Sequence, residues 1–138
     1  MRPMSELDAA LEAFQPGADA PDAARLLLAI GEEVLEHWIE ARGLVPTAGT
    51  QEGFRLLALH RQGARGVPSF NACRETCREL AYHYNLLCME ADDPRTVLRQ
   101  RMMAMIARHL LLFVSGKMQV EQLGDFCCSS RPLRQEAI

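Results

Sequence analysis

Across residues 24–38 apolar side chains return every three or four positions, and nowhere in the 138-residue chain do apolar and polar residues alternate over a sustained run. That rhythm confines the chain to helices packed on helices. Ala24, Leu27, Leu28, Gly31, Val34, Leu35 and Trp38 share one face of the clearest segment, with Glu33, Glu36 and Glu40 opposite. Asp19 is its N-cap, Pro21 sits in the first turn and Gly43 follows its end, which bounds a helix over about 21–42.

The same reading places the remaining elements. Ser5 and Asp8 begin a short N-terminal helix that ends before Gln15-Pro16-Gly17. Thr50 opens a helix over about 50–62, through Phe54, Leu57, Ala58 and Arg61, stopped by Gly63. Ser69 caps a helix over about 69–89 whose inner stripe is Phe70, Cys73, Cys77, Leu80, Ala81, Tyr84, Leu87 and Cys88. Asp93-Pro94 starts the last long helix, about 94–115, with Gly116 as its stop. Its expected central stripe is Leu98, Met102, Met105, Ile106, His109, Leu112 and Phe113, flanked by Met103, Leu110 and Val114. A further turn is expected between Val120 and Phe126, and a loose tail from Cys127. Short connections favour antiparallel neighbours, so the expected architecture is one all-α domain over residues 1–138. It is an antiparallel up-down bundle of four main helices with a short N-terminal helix.

Several classes drop out on composition. An apolar share of 49% is too high for intrinsic disorder, yet no run approaches the roughly 20 apolar residues of a membrane span, so no membrane partner is expected. A net charge of −3, one tryptophan and two tyrosines leave no basic, base-stacking platform, so a nucleic-acid partner is not expected either. The N-terminus carries Glu6 and Asp8 where a signal peptide needs an apolar run, and five cysteines lack disulfide-framework spacing. These features predict a soluble cytoplasmic protein.

Charge is unevenly laid out. No acid occurs between Glu52 and Glu75, or between Asp93 and Glu121. The expectation is an acidic second helix beside a basic last helix, paired at the bundle edge. A sharper possibility is an anion site in which His60, Arg61 and Arg65 flank the first turn of the Ser69 helix, whose amides are unpaired. The loop lacks the Gly-Lys-Ser/Thr ending of a P-loop.

Cys73 and Cys77 lie four apart on one helical face, a spacing that can offer two thiolates to zinc or another transition metal. A further ligand must come from another helix, His60 or His109. The competing expectation is that both thiols are core filling and that His109 is a buried histidine bonded to Tyr84, a carboxylate or a backbone carbonyl. Glu33 and His37 do not form a carboxylate-bundle metal site, because no second copy exists and the acids lie opposite the apolar stripe. Cys127 and Cys128 are candidates for thiol chemistry in trans.

No nucleophile elbow, dinucleotide fingerprint or His-Glu-x-x-His motif occurs, so no catalytic residue and no cofactor is assigned. Arg78, Tyr82, His83 and Asn85 project together from the polar side of the fourth helix, a composition suited to an interface. The leading expectation is a non-catalytic helical interaction module, a homodimer that buries a face of the last or second helix, with a protein partner also open. Small-anion or phosphorylated-ligand binding at the Arg61–Ser69 corner and a metal or thiol-redox bundle are the alternatives.

Overall fold

The structure, a computed structural model, describes residues 1–121. Five α-helices follow one another: α1 (Met4–Ala13), α2 (Ala20–Ala41), α3 (Arg55–Ala64), α4 (Arg74–Met89) and α5 (Thr96–Val120). A 3-10 segment, Pro68–Cys73, leads into α4. The described residues form an all-α bundle, and their buried apolar side chains make one contiguous cluster drawn from every helix.

α2 lies at its centre, packed against α1, α3, α4 and α5. It begins as expected, with the Asp19 carboxylate accepting the Asp22 amide at 2.9 Å and proline in the first turn. Its buried face carries Leu27, Ile30, Gly31, Val34, Leu35, Trp38 and Ile39. Gly31 lets α3 and α4 close in: a Cβ there would lie 3.1 Å from Leu80 Cδ1 and 3.2 Å from Leu56 Cδ1.

α3 starts five residues later than its periodicity suggests. Gln51 and Phe54 exchange backbone hydrogen bonds of 3.0 Å around Glu52 and Gly53, whose φ angles of 52° and 84° form a left-handed turn. The helix therefore begins at Arg55. At its far end Gly63 sits beneath Trp38. A Cβ there would be 2.8 Å from the indole, whose Nε1 donates to the Gly63 carbonyl at 2.9 Å. Trp38 stacks on Phe70 at 4.7 Å, and Phe70 on His60 at 5.6 Å. This aromatic stack ties α2, α3 and the 3-10 segment together.

Two further boundaries differ. Ser69 does not cap α4, because the chain first makes the 3-10 turn and α4 begins at Arg74. α5 runs through Gly116 to Val120. The expected turn from Val120 onward, the loose tail and the Cys127–Cys128 pair lie beyond Glu121, outside the described residues.

The largest correction concerns α5. Its buried side chains are Gln100, Met103, Ala107, Leu110, Leu111, Val114 and Met118, so the expected flank is the core face. Leu98, Met102, Met105 and Leu112 are 40–56% exposed, and Ile106 and Phe113 only half-buried. His109 is exposed as well and so is no core histidine. Tyr84, its expected partner, instead packs edge-to-face on Phe54 at 5.6 Å. The physical reason is visible around each candidate centre. The neighbours of Ala107 one turn away are Met103, Ala104, Leu110 and Leu111, all apolar. Those of Met105 are Arg101, Met102, Arg108 and His109, and burying two guanidiniums would cost more than the methionines return.

Charge pairing also departs from expectation. α2 and α5 are neighbours, but their charges go elsewhere. Arg55 of α3 bridges Glu32 and Glu36 at 3.5 and 3.1 Å. Glu33 takes the Arg2 guanidinium at 2.6 Å, and His37 Nε2 donates to the Arg2 carbonyl at 2.6 Å. Along Glu32, Glu33 and Glu36 the acidic side of α2 thus clasps the N-terminal segment and α3, while Glu40 stays exposed. On α5, Arg108 pairs with Asp8 and Glu12 of α1, and Arg99 with Glu90 and Asp93.

Candidate binding surfaces

Cys73 and Cys77 have the most unusual chemical environment of the described residues. Cys73 ends the 3-10 segment, immediately before α4, and its Sγ donates to the Phe70 carbonyl at 3.3 Å. His60 Nε2 donates to the same carbonyl at 3.2 Å. The Cys77 thiol, then the His60 imidazole, stabilise a Cys73 thiolate and pull its pKa from 9.0 down to about 6, against the opposing effect of burial. Cys77 is pushed well above 9.0 by Cys73 and by burial. Both cysteines are about 1% exposed.

His109 does not join them. It stands on the outer face of α5 while the cysteines face inward, so the expected Cys73–Cys77–His109 ligand set is not assembled. Among the described residues no three His, Cys, Asp or Glu side chains are grouped to hold an ion. The histidine the structure brings to the thiols is His60.

The proposed anion corner is partly assembled. His60, Arg61 and Arg65 line one groove of about 460 Å³ with Gln51, Leu57, Ala64, Asn71, Arg74 and Arg78. Ser69 is elsewhere: its hydroxyl accepts from Lys117 Nζ at 2.5 Å, beside α5. A 3-10 turn in place of an α-helical start removes the first-turn amides that the sequence reading relied on. Arg74 and Asn71, absent from that reading, replace it. The signal was present in the sequence, since Arg74 ends the acid-free run after Glu52.

Of the four residues expected to form an interface cluster, three share a second groove of about 430 Å³. Arg78, Tyr82 and Asn85 line it together with Glu52, Phe54, Leu57, Glu75, Glu79 and Ala81. Arg78 is engaged by the Glu52 carboxylate through bonds of 3.0 and 3.3 Å. His83 does not belong to the cluster: it is 8% exposed, and its Nδ1 donates to the Glu79 carbonyl one turn back.

The broadest unpartnered surface is the outer face of α5. Leu98, Met102, Met105, His109 and Leu112 recur at alternating spacings of four and three, which keeps them in line along a helix. Sequence periodicity found this stripe but assigned it to the core.

No protein-family model, no curated protein and no solved structure matches the chain. No helix of the described residues is long and apolar enough to cross a membrane.

Proposed function

We propose that the protein is a helical interaction module that self-associates through the outer face of α5. The observation that carries this reading is the exposed, heptad-spaced stripe from Leu98 to Leu112 on a helix whose opposite face is already buried in the bundle. A helix apolar on both sides has more surface to bury than one bundle can cover.

A second copy is the occupant that the stripe suits. Leu98 and Leu112 are equidistant in sequence from Met105, so a two-fold axis through Met105 sets each leucine beside its opposite number. The flanks are partly neutralised. α5 carries no acid, but Arg99 is compensated by Glu90 and Asp93, and Arg108 by Asp8 and Glu12, within the same chain. Arg101, exposed beside Met105, must keep its guanidinium at the solvated edge of the interface, which weakens the association. The stripe is about 21 Å long by the helical rise, which gives less contact than the roughly 800 Å² per partner of a standard stable interface. The association is accordingly a reversible, concentration-dependent one.

Sedimentation or light scattering across a concentration series tests it. The full chain, 15.4 kDa, is expected to approach twice that mass as concentration rises. Met105→Glu is expected to keep the helical circular dichroism signal and remain monomeric. A wild-type chain still monomeric at about 0.5 mM, well above the dissociation constant such an interface implies, overturns the reading.

A further inference from the structure

The groove above His60 is independent of that interface, since its lining comes from α3, the 3-10 segment, α4 and the Gln51 turn, with no residue of α5. Its chemistry is one-sided. Arg61, Arg65, Arg74 and Arg78 all line it and no carboxylate does. Arg78 is committed to Glu52, and Arg74 meets Glu75 only at 3.9 Å, with both side chains more than half exposed. Among the described residues Arg61 and Arg65 make no ion pair, although most other arginines of the chain do. Like charges gathered without counter-charges repel one another, at a cost to the fold.

The donor set says which anion relieves that cost. A carboxylate offers two coplanar oxygens, which one guanidinium fork engages side-on. A phosphate offers oxygens in several directions and accepts from more than one fork at once. The amides of Asn71 and Gln51 add neutral polar groups to the lining, and Leu57 and Ala64 add apolar ones. A volume of about 460 Å³ lies in the range of small-molecule sites.

We propose that this groove binds a small phosphorylated molecule, its phosphate oxygens held by Arg61, Arg65 and Arg74. The floor provides a built-in reporter. His60 lines the groove and stacks on Phe70, which stacks on Trp38, the only tryptophan in the chain.

Inorganic pyrophosphate is the probe, titrated into the full chain at fixed ionic strength while Trp38 fluorescence and calorimetric heat are followed. Saturable binding is expected, with malonate at the same ionic strength at least about tenfold weaker because it carries less charge and fewer acceptor oxygens. The Arg61→Ala, Arg65→Ala double variant is expected to bind pyrophosphate at least about tenfold more weakly, the loss of roughly one charge-assisted contact. Its melting temperature without ligand should equal or slightly exceed that of wild type, because both side chains are exposed and their loss relieves like-charge repulsion. Arg61→Lys, Arg65→Lys should fall between the two, since ammonium keeps the charge but loses the fork. A linear, unsaturated response to pyrophosphate, equal affinity for malonate, or undiminished binding by the alanine variant each overturns the proposal. The solution mass of the alanine variant reads the α5 interface separately, so failure of one reading leaves the other standing.

Discussion

α2 and α5 are the two long helices of the bundle and pack side by side, yet they differ in how their sequences encode orientation. α2 has one apolar stripe bordered by Glu32, Glu33 and Glu36, and all three acids end in ion pairs with Arg55 or Arg2 at the edges of the buried face. Only one rotation of that helix satisfies both its leucines and its carboxylates. α5 has apolar residues nearly all round, no acid, and arginines that can reach partners from either flank. Its rotation is decided by which apolar face can be packed without burying a guanidinium. A helix with a single stripe declares its inside. A helix with two must be told by its neighbours, and the stripe left over is available for a partner.

The sharpest way to break this comparison uses two leucines two residues apart on α5. Leu110 is fully buried and Leu112 is 54% exposed. Urea denaturation of Leu110→Ala should show a loss of about 2–5 kcal/mol, the range for a buried leucine that leaves a cavity. Leu112→Ala should cost the monomer less than about 0.5 kcal/mol and weaken self-association instead. Equal losses at the two sites would mean that both faces of α5 are core.

Gln100 sharpens the contrast from the buried side. It is fully buried on α5, accepting the Gly17 amide and donating to the Gly17 carbonyl, each at 2.9 Å. This pair of bonds pins the α1–α2 connection to α5. Gln100→Ala should cost about 1–3 kcal/mol in the same denaturation experiment, because two hydrogen bonds of about 0.5–1.5 kcal/mol each are lost. A silent substitution would show that the connection is held by its apolar contacts alone.

On α2 the charged border can be tested at Arg55. Burial raises the Glu32 pKa even with Arg55 beside it. Arg55→Ala should lower stability by up to about 1 kcal/mol, a modest figure because the pair remains partly solvated. NMR titration should show Glu32 rising further without its counter-charge.

The smallest effect is one of pH, at the entry to α5. Hydrogen bonds from Arg95, side chain first and backbone second, hold the Asp93 carboxyl at about 2, below its ordinary 3.8. A carboxylate with a depressed folded pKa stabilises the fold fully above the unfolded value and loses that contribution as pH falls through the folded one. Between about pH 4 and pH 2 the melting temperature of wild type should therefore fall more steeply than that of Asp93→Asn. Parallel curves would mean that the Asp93 contacts do not persist in solution.

The candidate sites divide along the same line. Arg61 and Arg65 were legible as a basic patch because charge composition is local and needs no fold. Arg74 was not assigned with them because an α-helix beginning at Ser69 would point it differently from one entered through a 3-10 turn. Cys73 and Cys77 were legible as a pair from their spacing, but their histidine was not. Choosing His60 over His109 depends on the Trp38–Phe70–His60 stack, whose members come from three elements. Ser69 was misplaced because the chain makes a 3-10 turn before α4 and its hydroxyl meets Lys117, and His83 because its ring folds back onto the Glu79 carbonyl and is buried.

What the amino-acid order settled unaided was the helical class, the start of α2 and the inward face of α2 and α4, because periodicity and capping act within a few residues along one chain. The rotation of α5, the turn that delays α3 and the company each arginine keeps were settled only in three dimensions. There, several arrangements of nearly equal local merit compete, and close packing together with the cost of burying charge selects among them.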